Sequence, residues 1–333
     1  MISIFRSYHP AVIFLLLVYT IFFRLILFKE TVHLQPEQES EMMTGFLYET
    51  LNQLLVNRAW LFHITAIMVT FLQALYFNYI VNYYRILSKP SYLPALSYIL
   101  ISSLFSEFLY LTPALLANLF LLLAFSKMFS SYKKENALSI IFDAAFYISI
   151  ASLIFFPYLV FIFFIIIPIL IYRPFNLREL IIPFVGLLIP YYFLGVYFFW
   201  ENRLNEFLHS LMISELRFSP DVLEKSIRIL TESIPVLFVM VWSALFIQAN
   251  LFKMVVQVRI YLMLFIIFFL IGIFSLAIHF NGEIDHFIWI IIPAGIAFAL
   301  FFTEYKKRIV PEILHLFLIL AILFFQYYKG IVL

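Results

Sequence analysis

The sequence predicts an all-α fold, a polytopic transmembrane helical bundle of about eleven spans, and three observations carry that expectation. The chain is 65% hydrophobic and only 12% charged, with a mean hydropathy of +1.04, far from the roughly 45–50% apolar and about 25% charged composition of soluble domains. Its apolar runs recur at close to the ~20 residues that a helix needs to cross a bilayer. Few residues remain once those runs are assigned, so residues 1–333 are expected to form a single integral membrane domain. The absence of cysteine excludes disulfides, thiolate metal ligands and cysteine nucleophiles from this chain.

The first run, 10–28, has Arg6 as its one basic flank and shows no small-residue cleavage site, so it reads as a retained span rather than a signal peptide. A polar loop, about 29–59, follows with Glu30, Glu37, Glu39, Glu41 and Glu49. Further runs lie at 60–84, 93–111, 113–128, 138–155, 157–172, 181–200, 233–252, 260–280, 287–303 and 310–327. The third to sixth are short and paired. Both "YLTPAL" and "FFPYLV" put a proline at a hairpin tip, where its missing N–H costs least. Such hairpins also fit re-entrant pairs, which shifts the count by one or two.

Each of two polar loops carries the pattern of an interfacial amphipathic helix. In the loop of about 201–232, Leu204, Phe207, Leu208 and Leu211 recur at helical spacing among Glu, Arg and His. Phe218, Ser219 and Pro220 end that helix, and Leu223, Ile227 and Leu230 start a second, short one. Met42, Met43, Phe46 and Leu47 repeat the pattern in the first loop. Helices of this kind either float at the level of the headgroups or cover a site beneath them.

Basic residues set the expected orientation, because translocating them is disfavoured. With the N-terminus cytoplasmic, that side holds Arg6, Arg85, Lys89, Lys127, Lys133, Lys134, Arg173, Arg178, Lys253, Arg259, Lys306, Lys307 and Arg308. The other side holds Lys29, Arg58, Arg203, Arg217, Lys225, Arg228 and Lys329, thirteen against seven. Connections near 112, 156 and 281–286 carry no basic residue. Both polar loops are therefore expected outside the cytoplasm.

Charges inside spans are functional candidates because they are costly there. Arg24, near the outer end of the first span, either binds a phosphate or snorkels to headgroups. Glu107, one turn before Thr112 and Pro113, points toward the same surface or is a structural acid bonded to Ser103 or Ser106. Asp143 is expected to pair with Lys133, Lys134 or Arg173. His33, His63, His209, His279 and His286 share the outer half, but none has the i, i+4 partner of a helical zinc site, and "HFNGEIDHF" reads more simply as a turn around Asn281 and Gly282. No metal site is assigned. With seven glycines and no G-x-x-x-x-G-K, no nucleotide is expected, and no basic aromatic stripe suggests nucleic acid.

The order of parts, with "LTPALLANLFLLLAFSKMFSSYKKENALSIIFDAAFYISIASLIFFPYLVFIFFIIIPILIYRPFNLRELIIPFVGLLIPYY", resembles the membrane half of C-type glycosyltransferases, which use polyprenyl-phosphate-linked sugars. The small-residue span "ISIASLIFFPYLVF", an apolar span and the basic turn "YRPFNLREL" carry that likeness over about residues 10–200. The same turn and "IIFDAAFYISIASL" resemble an uncharacterised family of bacterial polytopic inner-membrane proteins with no assigned activity. What the transferase resemblance implies is an acid of the first outer loop acting as general base or placing a divalent cation, with basic groups holding the lipid phosphate. Mapped onto this chain, the acids are Glu37, Glu39, Glu41 and Glu30. Arg24, Arg203 and Arg217, with Glu107 near them, are the expected substrate-binding residues.

A phosphate leaving group requires little acid assistance, so such a site needs chiefly a base and positive charge. The favoured expectation is therefore a transferase at the outer face of a bacterial inner membrane, with membrane lipid and a polyprenyl-phosphate sugar as partners. A flippase or other transporter for a lipid-linked substrate, with Arg24, Glu107 and Asp143 lining its path, is the alternative. A noncatalytic component of an envelope assembly is the third.

Overall fold

The computed structural model describes residues 2–28, 48, 59–132, 134–205, 207–208, 222–279, 284–305, 307 and 309–327. Among them the regular structure is helical, with no strand. Helix α1 (Ile2–Phe5) leads into α2 (Ala11–Phe23), which tightens into a 3₁₀ turn at Leu25–Phe28. Beyond the first loop come α3 (Ala59–Tyr83), α4 (Leu93–Ser102), α5 (Pro113–Ser131), α6 (Leu138–Ile154), α7 (Phe163–Tyr172) and α8 (Leu177–Trp200). The last third holds α9 (Val222–Asn250), α10 (Val256–His279), α11 (Ile291–Glu304) and α12 (Ile309–Tyr327). Further 3₁₀ segments lie at Glu107–Leu109, Phe156–Ile162 and Ile284–Ile290.

Over the described residues, 7 helical stretches are long and apolar enough to cross a membrane: α3, α5, α8, α9, α10, α12 and Ile284–Glu304. The expected count of about eleven is not reached by that measure. Four of the expected runs are shorter apolar helices, Ala11–Phe23, Leu93–Ser102, Leu138–Ile154 and Phe156–Tyr172, and each adjoins a turn or a 3₁₀ segment. Ten helical residues such as α4 rise only ~15 Å, about half of a bilayer's hydrocarbon core. Residues 222–250 form one continuous helix where the sequence suggests a short surface helix followed by a span. Of the expected interfacial helices, most of the first loop and residues 209–221 lie outside the described residues. Residues 204, 205, 207 and 208 are helical, with Phe207 buried against Phe198 at a ring separation of 5.2 Å.

Two helices form the centre. Every residue of α4 is buried, as is α11 from Ile291 through Phe302, and the two pack on each other, with α3 against α4. Burial separates this centre from the rim: 83% of the apolar window of Ile284–Glu304 is inside the protein, against 17% for Leu177–Trp200. The rim helices α8, α9 and α12 instead expose apolar side chains such as Leu188, Leu245 and Leu320, as helices facing lipid do.

Small residues bring α6 and α8 together. A Cβ at Gly186 would lie 2.7 Å from the Phe142 carbonyl and 2.9 Å from the Ala145 Cβ, so glycine permits an approach that no other residue allows. Ser149 then donates to the Leu187 carbonyl at 2.7 Å, and Ser152 and Tyr191 share a hydrogen bond of 2.8 Å. Asp143, on the α6 face toward α5, pairs with Lys127 at 2.7 Å, a partner not expected from the sequence; of the expected ones, Lys133 lies outside the described residues. Lys127 lies about four helical turns into α5.

Candidate functional site

Between α4 and α5 the chain leaves the α-helix at Ser103 and does not regain it until Pro113. Carbonyls released by such a break have no water to turn to in a membrane, and each left unpaired costs several kcal/mol. Side chains from separate elements meet that need. The Gln326 amide of α12 donates to the Ser103 carbonyl at 2.8 Å. Arg24, at the end of α2, donates through Nη1 to the Leu109 carbonyl at 2.5 Å and through Nη2 to the Phe108 carbonyl at 3.0 Å. Tyr48, from the first loop, donates to the Leu111 carbonyl at 2.9 Å; just past the break, Gln73 of α3 adds a second donor to the Leu115 carbonyl of α5 at 2.6 Å. Thr112 caps α5 by accepting from the Leu115 N–H at 3.2 Å.

Beside this break runs a chain of fully buried polar groups. The Tyr98 hydroxyl donates to Gln73 Oε1 at 2.7 Å and accepts from Asn118 Nδ2 at 2.9 Å. Tyr98, Gln73, Asn118 and Arg24 are all buried, and the Arg24 guanidinium lies within electrostatic reach of Tyr98. Burial, with the Asp285 carboxylate nearby, pushes the Tyr48 hydroxyl up to about 12, so Tyr48 stays protonated and able to donate.

Other breaks collect at the same end. The Ile284–Ile290 turn packs against Glu107–Leu109, and the His286 ring meets Phe155 at 5.0 Å. Ser275 of α10 donates to the Pro157 carbonyl at 3.0 Å, which serves the Phe156–Ile162 turn as Arg24 serves Glu107–Leu109. Tyr158, on that turn, has a buried hydroxyl with no partner. Away from this end the interior is aromatic: Trp289, Phe268, Phe125, Phe129, Tyr261 and Tyr132 follow one another with ring separations of 6.5, 5.4, 4.7, 4.5 and 6.0 Å.

The structure treats the candidate residues unequally. Glu107 sits half-buried on its 3₁₀ turn and accepts from the Ser106 hydroxyl at 2.9 Å, one of the two serines expected to reach it. Arg24 is brought to the same turn, yet two of its nitrogens already serve backbone carbonyls, so it holds the segment that carries Glu107. Arg203 follows α8, is exposed and lies 5.9 Å over the Phe198 ring; α8 packs on α6 and α7, away from Arg24. Glu30, Glu37, Glu39, Glu41 and Arg217 lie outside the described residues. Tyr48, seven residues after Glu41, nevertheless fixes part of the first loop to the break. Among the described residues no three His, Asp or Glu side chains come together as a metal site.

Gln73, Tyr98, Asn118 and Gln326 carry no charge, so they fall outside the residues that charge within a span singles out. Their signal was present: Gln73 in "VTFLQALYF", Asn118 in "ALLANLFL" and Gln326 in "ILFFQYY" are amides inside apolar runs. A polar group in hydrocarbon requires a partner whether or not it is charged, so the argument applied to Glu107 extends to them. Chemically, the arrangement presents a carboxylate whose position is set from both sides, by Arg24 on the next two carbonyls and by Ser106 on its oxygen.

Compared with protein-family models, with curated proteins and with solved structures, the chain matches none.

Proposed function

We propose that this chain is a transferase of a bacterial inner membrane, moving a sugar from a polyprenyl-phosphate donor to an envelope acceptor at the non-cytoplasmic face. The observation that carries the reading is the helix break over residues 103–112. Four separate elements donate side-chain hydrogen bonds to this region and the first turn of α5, and the half-buried Glu107 sits within it. Irregular backbone at membrane depth is costly unless protein surrounds it, and interrupted helices recur where membrane proteins handle polar substrates. Tyr48, a residue of the first loop, donates to the same break, and the acids Glu30, Glu37, Glu39 and Glu41 precede it in that loop in the sequence.

The reaction requires few groups. As the acceptor oxygen bonds to the sugar C1, a carboxylate takes the acceptor proton, and the C1–O bond to phosphate breaks with its electron pair leaving on the polyprenyl phosphate. Positive charge near the departing phosphate stabilises it. Because Arg24 is committed to carbonyls and Arg203 follows a helix that packs away from it, the role of Arg24 here is to position Glu107, and Arg217 is the basic residue this reading assigns to the phosphate. The N-terminus is cytoplasmic in this reading. The row of packed aromatic rings from Trp289 to Tyr132 favours chemistry at one face over passage through the bundle.

Purified protein in liposomes loaded with radiolabelled mannosyl- or glucosyl-phosphoryl polyprenol, with a bacterial envelope extract added as the source of acceptor hydroxyls, tests this. Wild-type protein is expected to move label off the lipid and release polyprenyl phosphate. Glu107→Gln is expected to slow release about 100-fold or more, the size of a general-base contribution, at unchanged protein level. No release from either donor by wild-type protein, or full rates in both Glu107→Gln and a combined Gln variant of the four loop acids, overturns the reading.

A further inference from the structure

At the end of the bundle opposite the break, α5, α7 and α10 enclose a cavity of about 410 Å³, a volume in the range of small-ligand sites. Pro168, Ile169, Ile260 and Leu264 form an apolar wall, and the charged lining residues are Lys134, Glu135 and Arg173. The charge of Arg173 is already met. Its Nε and Nη2 pair with the buried Glu179 at 2.5 and 2.8 Å, while Nη1 and Nη2 reach the Ser131 and Lys134 carbonyls at 2.9 Å each. Among the described lining residues, what remains for a ligand is one cation and one anion, adjacent in the chain and both exposed. A further lining residue, Tyr172, has a buried hydroxyl with no partner, and a buried donor without an acceptor is destabilising until something accepts from it.

We propose that this cavity binds the phosphoethanolamine headgroup of a membrane lipid. The phosphate lies against Lys134 and accepts from the Tyr172 hydroxyl, the ammonium donates to the Glu135 carboxylate, and an acyl chain follows Ile169, Ile260 and Leu264 toward the hydrocarbon. Neutral remaining charge is what selects a zwitterion: a purely anionic headgroup would meet Glu135 with like charge. The N–H groups select the primary amine, because a quaternary ammonium offers the carboxylate no hydrogen bond. Nothing in this site depends on the transferase reading, since it lies at the other end of the bundle.

Delipidated protein in detergent, with its thermal unfolding followed as lipid is added back, tests the site. Phosphatidylethanolamine, phosphatidylcholine and phosphatidylglycerol of one chain length are compared, with inorganic phosphate and soluble phosphoethanolamine as headgroup controls. Wild-type protein is expected to gain several degrees from phosphatidylethanolamine and clearly less from the other two lipids. Lys134→Ala and Tyr172→Phe should weaken that gain, and Glu135→Lys should move the preference to phosphatidylglycerol. Both charged positions are exposed, so the Lys134 and Glu135 variants should unfold like wild type before lipid is added, and Tyr172→Phe, which removes a buried hydroxyl without a partner, should unfold no earlier. The proposal is overturned by equal stabilisation from phosphatidylcholine, by a preference that survives in Lys134→Ala and Glu135→Lys alike, or by inorganic phosphate reproducing the whole effect.

Discussion

Arg24 shows how a single side chain in this chain differs from its expected use. An arginine near the end of a span reads as a phosphate ligand or as a snorkelling anchor, but its guanidinium is buried and forks onto two consecutive carbonyls. The planar fork matters, because a lysine ammonium is a point charge that cannot face two carbonyls with the same geometry. Arg24→Ala is expected to strand the Phe108 and Leu109 carbonyls at about 1–3 kcal/mol each, and Arg24→Lys to recover only part of the loss. Thermal unfolding in detergent measures both. Tyr98→Phe isolates the neighbouring network, because it removes the donor to Gln73 Oε1 and the acceptor for Asn118 Nδ2 while leaving the ring packed against Phe77 at 5.6 Å. A loss of about 1–3 kcal/mol is expected there too, the cost of buried polar atoms left without partners. Stability unchanged from wild type in Tyr98→Phe would show that these groups find other partners.

Helices in this bundle meet at places where a side chain is missing, and α10 is the sharpest case. A Cβ at Gly272 would sit 2.3 Å from the Trp289 ring, and Trp289 is itself fully buried, so the ring cannot swing away. Gly272→Ala is therefore expected to force α10 and the Ile284–Ile290 turn apart at about 1–3 kcal/mol or more, as overpacking does, lowering the melting temperature in detergent. Gly295→Ala, where the nearest Phe77 ring atom is 3.1 Å from the new Cβ, should cost less. Such contacts set the limits of what the sequence revealed. Apolar runs located nearly every helix, because the need to satisfy backbone groups in lipid leaves a long apolar run little else to become. The breaks were less visible: "LISSLFSEFLYLTPAL" reads as one run up to its proline, yet α4 stops at Ser102. Donors distant in the sequence, Gln326, Arg24 and Tyr48, make that interruption tolerable. Pairing across more than two hundred residues, as between Gln326 and Ser103, leaves no local signature.

Over the whole molecule, the two proposed sites lie at opposite ends of an aromatic interior, so the side of the membrane that each end faces decides what it meets. In the sequence, thirteen basic residues fall in the segments expected with Lys134 and Arg173 against seven in those expected with the first loop, so the positive-inside bias predicts that the break and Glu107 face away from the cytoplasm. The chain contains no cysteine, so single substitutions report on sidedness without a background to remove. Ser40→Cys, in the acidic loop, is expected to react with a membrane-impermeant maleimide in intact cells. Asn136→Cys, in the loop after α5, is expected to react only once the membrane is opened. The reverse pattern would turn Glu107 and its break toward the cytosol, where the proposed transfer to an envelope acceptor has no acceptor to use, and the transferase reading would fall. Headgroup binding at Lys134 and Glu135 would survive that result, because phosphatidylethanolamine can be offered to either end in detergent; only the leaflet supplying it would change.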